Sequence, residues 1–419
     1  MMTQKYKYLP FFMWSFPVVF FAYQFILRLW PGLMIQQIME RFSVDATQFG
    51  VFASFYYYGY AGAQIPVALL LDRYRPRFII SSFALVCGLG MLLFIYTNIW
   101  SLACISRFLI GVGSAVGFLG VSKVISEWFP KGQYAKMVGF SFTFGLMGAI
   151  YGGKPIGLFL ETYGWKSVGL TLALVSMSIG LCIYIFLKDP SGHQRHTPEE
   201  EESFKASHLK VLLSPIIWLL AAANFLMVGG LEGFSDVWGV SYLMMVYDIP
   251  KHEAAQFVSF LFGGMLFGGP FLAFCSRKLG IYTVIALCGV GLALTLGALL
   301  LNYKFAPLEI MCLLFLAGVF CCYQVVIFAA GSELVKPLYL GITIAFLNCI
   351  NMLGGSFFHT LIGYMMDKAW IGTINQEGGR IYDVMSYQIA LTLIPICALI
   401  GSGIVCLLKI KLKREKIKV

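Results

Sequence analysis

Charge is scarce in this sequence: only 12% of its 419 residues are Asp, Glu, Lys or Arg, while 59% are hydrophobic. Soluble domains carry about twice that share of charge, so the scarcity excludes a water-exposed globular fold and points to an integral membrane protein. Short alternating ten-residue segments are also missing, which leaves helices as the membrane-spanning elements. Histidine occurs five times, and His193, His196 and His208 fall together in one polar stretch where they read as solvated groups. The eleven cysteines include no Cys-x-x-Cys pair, and no histidine sits at ligand spacing from them. They read as small core residues, so no disulfide framework, metal site or cofactor is expected.

What the sequence has instead is long apolar runs. Windows punctuated by charge, glycine and proline give twelve spans, at 10–38, 47–71, 78–97, 99–126, 134–160, 165–187, 213–246, 253–275, 280–301, 307–332, 338–365 and 386–408. The first follows Lys5 and Lys7, but it is too long for a signal peptide and lacks a small-residue cleavage site, so it reads as a retained helix. Twelve crossings put both termini on one side. That side and the even connections carry twenty Lys and Arg, against six in the odd connections (Arg41, Lys166, Lys251, Lys304, Lys368 and Arg380). The bias makes the termini cytoplasmic and accounts for the net charge of +10 through contact with lipid, with no nucleic-acid partner required. Residues 189–210 are the longest polar interruption and read as a cytoplasmic linker. Thr197-Pro198-Glu199-Glu200 within it has the form of a helix start. The expected domains are six-helix bundles at 1–188 and 211–419.

The halves resemble each other. Ser126-Glu127 and the Pro130-Lys131 pair precede one Gly-rich span, and Ser332-Glu333 with Lys336-Pro337 precede another 206 positions later. This suggests a parallel internal repeat around a midplane site. Between the second and third spans, Ala68-Leu-Leu-Leu-Asp72-Arg73-Tyr-Arg75-Pro76-Arg77 resembles the signature loop of the major facilitator superfamily, with Ala68 and Arg75 in place of two glycines. Ser276-Arg277-Lys278-Leu279-Gly280 is its weaker counterpart. Arg107-Phe-Leu-Ile-Gly111-Val-Gly113 and the run Gly145, Gly148, Gly152, Gly153, Pro155 also resemble recurrent features of that superfamily. Within it, Arg28-Leu-Trp-Pro31-Gly32, Tyr56-Tyr57-Tyr58-Gly-Tyr60, Gln64-Ile65-Pro66, Gly153-Lys-Pro155 and Gly164-Trp165-Lys166 look like the proteobacterial phagosomal transporter group. The resemblance implies an all-α fold of twelve transmembrane helices in two pseudo-symmetric bundles. It also implies uptake of amino acids or nucleosides, and a cytoplasmic latch at Asp72, Arg73 and Arg77; the alternative for these three is an ordinary basic loop.

Four basic residues fall inside spans: Arg28, Arg107, Lys123 and Lys154. A charge in the membrane costs a few kcal/mol even on insertion scales, so each is a functional candidate. Arg28 lies about ten residues from the end of its span, about 15 Å, beyond the reach of snorkelling. Its guanidinium suits a carboxylate, with Gln24 one turn away; the alternative is a structural ion pair. Pro31 removes a donor and is expected to leave the Leu27 carbonyl open to ligand or water. Glu232 and Asp236, four apart among three glycines, share a helix face. Two such carboxyls cannot readily both ionise, which is what a proton-coupling pair needs; the alternative is structural pairing with Arg28 or Lys154. Arg107 and Lys123 with Glu127 read as inter-helix pairs near the cytoplasmic side, and Glu333 matches Glu127 through the repeat, giving Arg107, Glu127 and Glu333 as gating groups. Tyr57, Tyr60, Gln64, Tyr323, Gln324, Asn348 and Asn351 could line a cavity or bond helix to helix. His359 is either a relay or simply hydrogen-bonded.

Lys154 interrupts AIYGGKPIG. Ser141, Gly145, Gly148 and Gly152 form a small-residue stripe for close helix approach, and Lys154 points away from it, toward a cavity or the periplasmic surface. Pro155 is expected to disturb helix geometry there. Gly152-Gly153-Lys154 lacks the Ser or Thr and the strand of a phosphate loop, and Gly111-Val-Gly113 has the wrong spacing for a dinucleotide turn. No clustered nucleophile, base and metal ligands suggest an enzyme. The sequence therefore reads as a monomeric secondary transporter of the bacterial inner membrane. It would move a small organic nutrient (amino acid, short peptide or nucleoside), coupled to H+, by alternating access. The alternatives are an exporter or organic-anion uniporter of the same fold, or a non-transporting receptor.

Overall fold

The computed structural model describes residues 8–188, 214–301, 303–336, 339–375 and 379–417. The linker, with its expected surface helix, lies outside them. Among the described residues the protein is helical, apart from one isolated bridge between Ile374 and Arg380. Among the described residues, ten stretches are long and apolar enough to cross a membrane. One of these, Lys136–Phe186, has 51 residues, about 75 Å of helix and more than twice the hydrocarbon thickness. It is two crossings joined at Gly164, whose φ of 75° is open to glycine and costly for other residues. Ala46–Arg73, less apolar because of its tyrosines and glycines, completes the twelve-helix architecture.

The chain divides into two compact units, Met1–Met34 with Phe55–Thr197, and Ile35–Ser54 with Pro198–Val419. Residues 35–54, which the sequence pattern gives to the first bundle, cluster with the second.

The first unit is built on α1 (Leu9–Leu29), α3 (Ala46–Arg73) from Phe55 onward, α4 (Pro76–Tyr96), α5 (Trp100–Ser114), α6 (Val116–Trp128) and α7 (Tyr134–Phe186); the short α2 (Ile35–Phe42) falls in the second. The small-residue stripe of α7 meets α1. Ser141 Oγ accepts from Trp14 Nε1 at 2.9 Å, and Gly145 packs on Phe21 and Phe25. A Cβ on Gly148 would stand 2.0 Å from the Ala22 carbonyl oxygen, so only glycine allows that approach. Contrary to expectation, the backbone stays helical at Lys154 and Pro155, and the departure from helix comes at Gly164.

The second unit holds α8 (Pro215–Met227), a π-helix (Gly229–Trp238), α9 (Gly239–Tyr247), α10 (Lys251–Leu279), α11 (Ile281–Leu299), α12 (Pro307–Cys321), α13 (Tyr323–Glu333), α14 (Leu340–Ala369), α15 (Val384–Leu391) and α16 (Leu393–Ile417). The internal repeat is visible in its packing. In the first unit a Cβ on Gly59 would meet the Phe108 carbonyl at 2.2 Å, and one on Gly111 the Tyr56 carbonyl at 2.0 Å. In the second, Gly264 stands in the same relation to Phe315 and Gly318 to Leu261, both at 1.9 Å, each position offset by 205 to 207 residues. The same reciprocal glycine crossing is therefore used once in each half.

Residues 45–47 are bound into the second unit by Asp367, at the end of α14. Its carboxylate accepts from the backbone N–H groups of Ala46 at 3.4 Å and Thr47 at 2.8 Å, from the Thr47 and Tyr382 hydroxyls, and from Arg380 Nη1 at 2.9 Å. It thus caps the N-terminus of α3 from more than three hundred residues away. In the adjoining loop, Asp383 caps α15, and the hydrogen bond from Ser386 holds its carboxyl below the ordinary carboxylate value.

Candidate functional site

Buried charge is sorted by unit. Among the described residues, the charged side chains buried in the first unit are Arg28 and Arg107, both cationic, and those in the second are Glu232 and Asp236, both anionic. Keeping either pair out of water is costly, and a chain that bears this cost four times holds those groups for a purpose.

Arg28 does not sit in the middle of an unbroken helix, as the 10–38 span implied. It lies in the last turn of α1, where Pro31 cannot donate and the chain tightens into a 3-10 turn over Trp30–Leu33. The carbonyls of Leu27 and Arg28 face this break. The sequence leaves the Leu27 carbonyl open to a ligand, but the structure gives it to Arg107: Nη1 donates to Leu27 O at 2.6 Å and Nη2 to Arg28 O at 2.7 Å. Arg107 is thus a buried residue of α5, 1% exposed, that bonds across to α1 through its backbone carbonyls.

Aromatic side chains lie against both arginines. The Arg28 guanidinium carbon lies 5.5 Å from the Tyr57 ring centre and 5.9 Å from that of Phe25. The Arg107 carbon is 4.5 Å from Tyr56 and 5.8 Å from Trp30. Ring faces carry negative potential and stabilise a desolvated cation. The Tyr56 hydroxyl donates to Gln24 Oε1 at 3.2 Å, joining the second candidate group on α1 to the same cluster. Tyr60 stacks on Tyr56, with ring centres 6.0 Å apart. The structure thus brings Arg28, Gln24, Tyr57 and Tyr60 together with Arg107 and Tyr56. Lys154 is half-buried on α7, and Gln64 is half-buried on α3.

In the second unit, Glu232 and Asp236 lie on the π-helix, 1% and 2% exposed. Gly229 and Gly233 rest on Phe358, which lets this wide helix lie against α14. His359 Nε2 is 2.6 Å from the Glu232 carbonyl. A carbonyl can only accept, so Nε2 carries the proton. Nearby, the Tyr323 hydroxyl donates to Asn224 O at 3.1 Å, and Asn224 Nδ2 to Leu347 O at 3.0 Å. Asn351, one turn beyond Leu347, is 2% exposed, whereas Asn348 is half-buried. Asn224 is a polar member that sequence reasoning missed, because a lone asparagine in an apolar helix carries no pattern.

The groups assigned to a latch lie apart from these clusters. Lys123 Nζ stands 2.9 Å from Asp72 Oδ1 and 4.0 Å from Glu127 Oε1, a bridge from α6 to the end of α3. Arg73 is exposed, Arg77 lies over the Phe78 ring at 4.5 Å, and Glu333 is exposed. Asp367 is a further polar hub that no sequence pattern marks. Its position at a span end looks like any membrane-boundary charge, and its partners are remote in sequence.

With this geometry established, comparison with known proteins gives a consistent picture. A family model described as Major Facilitator Superfamily matches residues 15–359. A candidate L-galactonate transporter of Escherichia coli is 25% identical over 261 residues, 55% of this chain and 54% of that one, so the match spans about half that relative's length. A candidate tartrate transporter of Agrobacterium vitis is 22% identical over 401 residues, covering 84% of this chain and 86% of the relative. The crystal structure of a bacterial homologue of the human lysosomal transporter Spinster, inward-facing and unoccupied, superposes with a TM-score of 0.76. That alignment covers 96% of this chain and 97% of the other at 18% identity, a likeness of fold.

Proposed function

The chain belongs to the major facilitator superfamily, a family of multi-pass membrane transporters and not of enzymes, and from that premise we propose that it takes up a small carboxylic acid together with protons. The class of acid is a sugar acid or hydroxy-dicarboxylic acid. The observation that carries this reading is the sorting of buried charge, cations in the first unit and carboxyls in the second.

Arg28 is the carboxylate-binding group. Its planar fork matches a carboxylate bidentately, and the Tyr57 and Phe25 rings beside it favour a desolvated cation. Gln24 and the hydroxyls of Tyr57 and Tyr60 supply partners for substrate hydroxyl groups. Lys154 is a further candidate group of the first unit, and Tyr323, Asn348 and Asn351 are the candidate polar groups of the second. The relatives with a named substrate are assigned hydroxy acids, which favours organic acids over the amino acids, peptides and nucleosides suggested by the sequence. Glu232 and Asp236 form the proton-coupling pair, with one carboxyl able to hold the proton that the other releases. Asp72, Lys123 and Glu127, with Arg73, Arg77 and Glu333, act at the cytoplasmic ends as gating groups. In this reading the protein works as a monomer in a bacterial inner membrane with both termini cytoplasmic, the last supported by the excess of basic residues in the even connections.

The test is counterflow in proteoliposomes, with L-galactonate and tartrate as probes and galactose as the uncharged control. Wild type is expected to exchange at least one acid and not galactose. Arg28→Ala is expected to lose about a hundredfold or more in exchange rate, the scale for removing one partner of a buried charged contact. Equal counterflow of galactose, or normal acid exchange by Arg28→Ala, would overturn the reading.

A further inference from the structure

Arg107 stands out in the sequence by its charge, but its geometry gives it a different task. The contacts of its guanidinium include the carbonyls of two consecutive residues, Leu27 and Arg28, and the faces of Tyr56 and Trp30. Both carbonyls belong to the turn where α1 stops being an α-helix. Pro31 withdraws the donor that Leu27 O would have used, and the 3-10 turn that follows bonds three residues back instead of four. A helix broken in a membrane must satisfy these carbonyls from elsewhere, and an arginine fork can span two at once.

We infer that Arg107 is a positioning residue that fixes the break in α1 and so aims Arg28 and Gln24. One arm of this control runs through the backbone. By holding Arg28's own carbonyl, Arg107 sets the direction in which that residue's Cα–Cβ bond leaves the chain. The other arm runs through Tyr56, whose ring lies 4.5 Å from the Arg107 guanidinium and whose hydroxyl donates to Gln24. Gly111, on the same helix as Arg107, admits the Tyr56 backbone at a distance no other residue permits, which keeps ring and guanidinium in register. A single buried side chain therefore orients both candidate binding groups of α1 while standing behind them. This inference rests on the proposed role of Arg28, but it makes a claim about α1 that holds with or without a substrate.

The experiment uses purified full-length protein and the variants Arg107→Lys and Arg28→Lys. A lysine keeps the charge, but its ammonium is a single point and cannot hold two carbonyls in a fork. Hydrogen–deuterium exchange followed by mass spectrometry should show Arg107→Lys exchanging tenfold or more faster in peptides covering 26–36, with the remainder of α1 and α5 unchanged. Arg28→Lys should exchange like wild type there. In counterflow with whichever of L-galactonate and tartrate the wild type exchanges, Arg107→Lys should raise the half-saturation concentration tenfold or more with maximal rate within about twofold. Unchanged exchange at 26–36 in Arg107→Lys overturns the inference. So does accelerated exchange spread over the whole unit, which marks a general loss of structure. If neither acid is exchanged by wild type, the proposed function fails, and the deuterium measurement still decides the role of Arg107.

Discussion

Glu232 meets two constraints at one residue. Its carboxyl is 1% exposed on the π-helix, four positions from the equally buried Asp236, and its carbonyl takes the Nε2 proton of His359. The second contact fixes the imidazole tautomer and ties the backbone of the proposed coupling pair to α14, a helix placed to respond to the charge of Glu232 under the proposed function. Glutamine at this position keeps the side-chain volume and the backbone contact while removing the ionisable group. Glu232→Gln is therefore expected to abolish acid accumulation driven by an imposed pH gradient while leaving substrate counterflow within about threefold of wild type, because exchange needs no net proton movement. Uptake along a pH gradient is the measurement, and a variant that still accumulates acid as wild type does would remove Glu232 from coupling.

The relation between α1 and α7 shows what the scale of an element adds. The stripe Ser141, Gly145, Gly148 and Gly152 was legible because small residues spaced at helical intervals in an apolar run mark a face made for close helix approach. Its partner was not legible, since the sequence names no neighbour; the structure identifies it as the face of α1 carrying Trp14, Phe21, Ala22 and Ile26. Gly148→Val places a branched side chain where even a Cβ would stand 2.0 Å from a carbonyl oxygen, so it is expected to destabilise the protein by about 3 kcal/mol or more. Gly139, on the same helix with nothing within 4 Å of its Cβ position, is the matched control, and Gly139→Ala should be neutral or slightly stabilising. Thermal unfolding of both variants in the same detergent checks the pair, and equal stability would mean that α7 does not pack on α1 as described. The break in α1 was half legible: Pro31 announces a lost donor, but the donor that replaces it comes from Arg107 on another helix. A search for charge partners looks for carboxylates, and here the partners are backbone carbonyls, which every residue has and no sequence pattern marks. The π-helix was hidden for a related reason, because Glu232 and Asp236 fall near one face whether the turn holds 3.6 residues or slightly more.

At the level of the whole molecule, the crossing count and the twofold repeat were the most legible features, because both are written many times over. Twelve apolar runs each had to be long enough to cross, and the 206-residue offset seen at the two junctions reappears to within one residue in the glycine crossings of Gly59 with Gly111 and Gly264 with Gly318. Less legible was the clustering of residues 35–54 with the second unit through Asp367 and Gly363, a relation made by groups over three hundred positions apart. The division of buried charge between units, cations in one and carboxyls in the other, unites these scales: under the proposed function a carboxylate substrate and a proton would each find a buried group of suitable character. The central claim is that the buried cation recognises a carboxylate, and ligand-induced thermal stabilisation tests it most directly, since binding raises apparent stability by mass action, by about 2.7 kcal/mol at a hundredfold excess over Kd. Wild type should be stabilised by L-galactonate or tartrate and not by the corresponding neutral forms, galactono-lactone and dimethyl tartrate, and Arg28→Gln should lose the response to the acids. Equal stabilisation by an acid and its neutral counterpart, or an undiminished response in Arg28→Gln, would contradict the account.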